Sequence, residues 1–148
     1  MSPLSRRFLA TAAFFLATGL AMGFWMLVRR ELLGVWPAPH LVSAHAHLVL
    51  VGAVMETILG VAIWLFPRPA RGDTRYRPWL AEAAWWLITS GTVLRAVSES
   101  ARAWSTAMPL RWLVVIGGGL QLLGLLAGIT YLRPRIRGVG AGLRAIAS

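Results

Sequence analysis

The chain has no cysteine and no lysine, and only 5 of its 148 residues are acidic. Without thiols, disulfides, thiolate metal sites, iron-sulfur clusters and covalently attached heme are all excluded. Any redox cofactor has to be held by histidine, methionine or a carboxylate. Charge of either sign is scarce: 14% of residues are charged against 57% hydrophobic, and the mean hydropathy is +0.66. A soluble core does not need that much apolar material.

Four apolar stretches stand out, residues 8–28, 41–66, 78–98 and 110–132, each longer than the roughly 18 residues that a membrane span requires. The expected fold is all-α, an integral membrane four-helix bundle forming one domain over residues 1–148. Glu82 and Arg95 lie near the two ends of the third stretch, where charged groups reach the interface or face protein. The first stretch follows Arg6 and Arg7 and is read as an uncleaved helix. Its apolar run exceeds the core of a signal peptide, and no small-residue cleavage site follows.

All 15 basic residues are arginine, and the formal net charge is +10. If the chain weaves in and out, Arg6, Arg7, Arg68, Arg71, Arg75, Arg77, Arg133, Arg135, Arg137 and Arg144 fall on one side. Arg29, Arg30, Arg102 and Arg111 fall on the other, with Arg95 at the membrane edge. The excess of positive charge places both termini in the cytoplasm of a cell-membrane protein. No soluble domain remains to bind nucleic acid, so anionic lipid and topology account for the charge better.

The three histidines are His40, His45 and His47. His40 follows Trp36-Pro-Ala-Pro39, just outside the second span, while His45 and His47 lie within about two turns of its external end. Ionisable groups there are retained for binding a metal, a heme or a proton, or for a plain interhelical hydrogen bond. At 100° per residue the two rings point about 200° apart and cannot ligate one ion from the same helix face. His45 shares a stripe with Val49, Gly52 and Glu56, and His47 shares one with Val51, Val54 and Ile58. Gly52 leaves room for a flat macrocycle or a close helix, and Glu56 demands a protein-facing environment. His45 is therefore taken as the interior ligand and His47 as the alternative. Glu56 is either a proton-relay group or a hydrogen-bonded structural carboxyl.

Arg95 belongs to the level of His45 and suits a carboxylate at the membrane boundary, or else an ion-pair network with Glu99 and Arg102. Arg29 and Arg30 are further candidates. The eight tryptophans read mainly as an interfacial belt, with Trp85 and Trp86 as packing residues deeper in their span. Gly19-x-x-x-Gly23 and Gly124-x-x-x-Gly128, with Gly117 to Gly119 nearby, permit close helix approach. They would pack the first helix on the fourth, or join two copies in a homo-oligomer.

Residues 45–52, His-Ala-His-Leu-Val-Leu-Val-Gly, continuing through Gly60 to Phe66-Pro-Arg68, resemble the second transmembrane helix of the heme-copper oxidase superfamily, including the nitric oxide reductase large subunit. Residues 86–95, Trp-Leu-Ile-Thr-Ser-Gly-Thr-Val-Leu-Arg, are similar to the next helix in short relatives. The resemblance covers the first four helices of a family whose catalytic subunit has twelve or more. It implies a non-covalent heme b with His45 as axial ligand to the iron, His47 as the alternative, and Arg95 on a propionate. The second axial position would be open, supplied by another subunit, or filled by Met22 or Met26. The superfamily takes its remaining heme and copper ligands from later helices, so no complete oxygen-reducing centre is expected on this chain. The expected function is electron transfer, or binding or conversion of nitric oxide or oxygen, beside a respiratory or denitrification partner. A second class is a copper-binding or assembly protein that combines His40, His45 or His47 with Met22, Met26 or Met108, since imidazole and thioether suit Cu(I). A third is a cofactor-free accessory subunit of a respiratory complex.

Overall fold

The computed structural model describes residues 1–66 and 77–136. Arg68, Arg71, Arg75, Arg137 and Arg144, and the Pro67-Arg68 end of the family resemblance, lie outside the described residues. Four long helices follow one another: α1 (Pro3–Leu33), α2 (Pro39–Leu65), α3 (Pro78–Arg102) and α4 (Met108–Leu132), with a 3₁₀ turn at Arg133–Arg135. No strand occurs among the described residues.

Local chemistry sets the helix ends. Pro3, Pro39, Pro78 and Pro109 each stand in the first turn of a helix, where a missing N–H costs nothing and the fixed φ suits the helix. Ser2 caps α1 by accepting from the Ser5 backbone N–H at 3.1 Å. Gly34 ends the helix in the left-handed region at φ 63°, which glycine enters without a Cβ clash.

Three of the four helices, α1, α2 and α4, are long and apolar enough to cross a membrane. Helix α3 matches them in length, but the sequence reading of four such spans is not met on composition, because Glu82, Arg95, Glu99 and Arg102 lower its apolar character. Its outward face nevertheless carries large apolar side chains, and several polar ones turn inward beside Ala81, Ala84, Ile88 and Ala96. Trp86, Val93 and Val97 are exposed, whereas Thr92, Ser98 and Glu99 are buried.

Helix α1 packs along α2, α3 lies against α2 on another side, and α4 packs along α3. One core cluster joins Phe8, Leu59, Ile63, Ala81, Ala84, Ile88, Tyr131 and Leu132, and a second joins Phe15, Leu48, Ala53 and Ala96 with Met22 against it. Glycines set the spacing. A Cβ on Gly19 would meet Val49 at 2.7 Å, one on Gly124 would meet Ile88 at 2.6 Å, and one on Gly128 would meet Leu59 at 3.0 Å. The small-residue pairs thus seat α1 on α2, and α4 on α3 and α2. The expected use of these glycines to pack the first helix on the fourth is not realised, because α3 and α2 already fill their notches. Trp86 also departs from the packing role expected of it, being 60% exposed.

Candidate functional site

Helix α2 carries all three histidines and Glu56. It is α-helical over Pro39–His47, π-helical over Leu48–Met55 and α-helical again over Glu56–Leu65. A π segment often marks a functional position in a helix, and here it separates the histidines from Glu56. The stripe expected from sequence still faces α1. His45 lies against Gly23, Val49 against Gly19, Gly52 against the Phe15 ring and Gly60 against Phe8.

The His45 ring packs against Gly23, with Cε1 only 2.7 Å from where a Cβ of that residue would be. Its Nδ1 is 2.9 Å from the Gly19 carbonyl oxygen. A carbonyl only accepts, so Nδ1–H donates, and in the neutral imidazole that leaves the lone pair on Nε2. Anchoring one imidazole nitrogen on a backbone carbonyl is how proteins fix a ligating histidine in tautomer and orientation. The ring forms part of a groove of about 550 Å³ that also presents Gly23, Phe24, Met26 and Arg30, within the size range of small-molecule sites. The groove opens between α1 and α2, and its rim residues Leu20, Phe24 and Val42 are exposed. Met26, itself 7% exposed, also borders a smaller pocket lined by Trp25, Arg29, Trp36 and Trp104.

The other candidates lie elsewhere. Gly52 is buried, and the space its side chain would need is occupied by Phe15, whose ring atoms come within 2.8 Å. Of the two uses foreseen for that glycine, the close helix is the one made. Met22 lines a separate apolar groove of about 440 Å³ with Phe14, Phe15, Leu48 and Val97. Met108 is 61% exposed at the start of α4, and His40 sits half-buried in the first turn of α2. His47 Nδ1–H donates to the Ser43 carbonyl of its own helix at 3.0 Å. Among the described residues no three His, Cys, Asp or Glu side chains form a metal-binding group.

Arg95 does not join His45. Its Nε donates to Glu99 Oε1 at 3.1 Å, its Nη1 lies against Gly118, and Ser43 donates to the same Glu99 oxygen at 2.8 Å. Ser43 and His45 are two positions apart, about 200° around the helix, so the Arg95 cluster and the His45 groove lie on different sides of α2. The cation that does line the groove is Arg30, which pairs with Glu31 at 2.7 Å. Both members of that pair are exposed, so the pair is worth at most about 1 kcal/mol and is readily exchanged for another carboxylate. Glu99 Oε2 and Arg102 Nε are buried with no hydrogen-bond partner, so the Arg95–Glu99 pair does not extend through Arg102 Nε.

A second polar cluster lies deeper. Glu56 is fully buried. Thr11 donates to its Oε2 and Thr89 to its Oε1 at 2.8 Å, while Trp85 Nε1–H donates to the Thr11 hydroxyl at 3.2 Å. The sequence reading named Glu56 and Trp85 but missed both threonines. Helix spacing offered a signal, since Glu82, Trp85, Thr89, Thr92 and Glu99 recur at three, four or seven residues along α3 and form one face. No protein-family description, curated protein or solved structure matches this chain.

Proposed function

We propose that the chain is a multi-pass cell-membrane protein that binds one b-type heme in the groove between α1 and α2 and serves electron transfer or the binding of nitric oxide or oxygen. One observation carries this reading. His45 is anchored through Nδ1 to the Gly19 carbonyl, which reserves Nε2 for a ligand in a groove that also offers Met26 and Arg30. His45 would be the axial ligand, Met26 the thioether on the same groove, and Arg30 the partner of a propionate in place of Arg95. Such a heme supplies a one-electron couple or, with an axial position open, a place for a small gas. The resemblance of residues 45–66 to the second helix of heme-copper oxidases points the same way.

Four spans with both termini in the cytoplasm follow from the arginine distribution. The exposed apolar side chains of α3, Trp86, Val93 and Val97, support counting it as the fourth span. The exposed rim of the groove favours a homo-oligomer or a respiratory or denitrification partner as the cover of that site. Copper bound between His45 and Met26 is the second reading, favoured by the same pair of side chains.

The test is the visible spectrum and pyridine hemochromogen of detergent-purified protein, wild type beside His45→Ala and His47→Ala. A Soret band lost with His45→Ala and kept in His47→Ala is the expected result. A folded wild-type protein that takes up no supplied heme refutes the heme reading, and copper retained by wild type but not by His45→Ala would then establish the second.

A further inference from the structure

We propose that Glu56 is a proton-binding site within the membrane, with access from the face that carries Arg7 and Glu82. The inference does not use any group at His45. The Glu56 carboxyl is fully buried between two hydroxyls, those of Thr11 on α1 and Thr89 on α3. A hydroxyl has one hydrogen and can also accept. When Glu56 is ionised, both hydroxyls donate to it. When Glu56 is protonated, its own O–H donates to one of them, and that hydroxyl must send its hydrogen elsewhere. Thr11 has such places, since its Oγ1 lies 3.0 Å from the Arg7 carbonyl oxygen and 3.1 Å from that of Phe8. Both protonation states are therefore satisfied by rotating a hydroxyl, with no heavy atom displaced. A purely structural carboxyl needs only one such arrangement.

Access is one-sided. The Thr11 hydroxyl turns towards the Arg7 face through the Arg7 carbonyl oxygen at 3.0 Å. Trp85 Nε1–H, a donor only, holds the Thr11 oxygen at 3.2 Å without relaying a proton, and its ring lies 5.8 Å from the Arg7 guanidinium. Arg7 is 3.8 Å from Glu82, and both side chains are more than half exposed. Towards the opposite face the next polar pair, Gln121 and Thr92, is closed on itself by a 3.1 Å bond, and the tight approach of Gly91 to Gly117 lies beside it. Arg95, Glu99 and Ser43 come only beyond that seal. The charged groups nearest Glu56 along the packed elements are Arg7 on α1 and Glu82 and Arg95 on α3. Helix α4 brings the uncharged Gln121 and, further towards the Arg7 face, Tyr131, with Arg135 in the 3₁₀ turn that follows it. Among the described residues no cation pairs with Glu56. Ionisable groups inside membrane spans are functional candidates by default, proton relays among them.

Infrared spectroscopy of the detergent-purified full chain tests this. A protonated-carboxyl C=O band is expected at low pH that disappears reversibly as pH rises, is missing in Glu56→Gln and persists in Glu99→Gln. Its exchange in D2O is expected to slow about tenfold in Thr11→Val, the worth of one hydrogen bond, and to be unchanged in Ser43→Ala. A band that does not respond to pH, that is absent from wild type at every pH, or that survives in Glu56→Gln overturns the proton site. Exchange slowed by Ser43→Ala, or unaffected by Thr11→Val, overturns the assigned access. If Glu56→Gln does not fold, Thr89→Val must shift the band frequency by removing one partner, and an unmoved band refutes the assignment.

Discussion

Replacing Gly91 with alanine should separate α3 from α4, and the size of the effect follows from what the new methyl meets. A Cβ at this position would lie 2.8 Å from the Gly117 carbonyl oxygen, 2.9 Å from the Gln121 backbone nitrogen and 2.9 Å from Leu120 Cβ. Two of those atoms are backbone, so no rotamer change relieves the clash and α4 itself must shift. Overpacking of this kind costs about 1–3 kcal/mol. Alanine returns about 0.5–1 kcal/mol of helix propensity, which leaves a net loss of about 0–2.5 kcal/mol. Gly119→Ala is the matched control, because nothing lies within 4 Å of its Cβ position, and it should keep the propensity gain. Reversible unfolding of the detergent-solubilised protein by titration with a denaturing detergent, followed by circular dichroism, reads the difference. A Gly91→Ala protein as stable as Gly119→Ala would refute the view that this seam is closed to a side chain.

Gly23→Ala places a methyl 2.7 Å from His45 Cε1. The ring must shift from its place against residue 23 and so disturb its bond to Gly19, and under the proposed heme reading the affinity for heme, read as Soret absorbance per chain, should fall about tenfold while the helical spectrum is unchanged. Arg135→Gln removes a guanidinium that donates to the Ile63 carbonyl at 3.2 Å and the Phe66 carbonyl at 2.5 Å. Orphaned carbonyls at the end of α2 should cost about 1–3 kcal/mol, against no more than about 0.5 kcal/mol for the exposed Arg133→Ala, in the same unfolding assay. Gln121→Leu breaks the buried bond to Thr92 and should cost about 0.5–1.5 kcal/mol, and a stabilised variant would show that this amide is held under strain.

The helices themselves were legible because long apolar runs and first-turn prolines are local properties. The inward face of α2 was legible too, since His45, Gly52 and Glu56 do all meet α1. That outcome was not assured by helical periodicity, because the π segment Leu48–Met55 alters the residues per turn between the histidines and Glu56. Periodicity names a face but not the neighbour that covers it. Gly52 could receive a flat ligand or a helix, and only the three-dimensional arrangement brings Phe15 there. Arg95 was expected at the level of His45, yet the two meet different neighbours, because position around α2 separates them. Thr11 and Thr89 were passed over since a lone threonine in an apolar run has no signature until a carboxyl is placed beside it.

The two proposals stand on one helix and still fail or succeed separately. His45 and Glu56 are 11 positions apart on α2, at most about 16 Å at the α-helical 1.5 Å per residue, with the π segment between them shortening that span. At an effective dielectric constant of about 20, unit charges at that separation interact by about 1 kcal/mol, so a charge at one site biases the other without determining it. The Nδ1 anchor on Gly19 and the hydroxyl pair around Glu56 share no residue. A heme-free protein with a titrating Glu56, or a heme protein with an inert one, would each locate the error in one site and leave the geometry of the other intact.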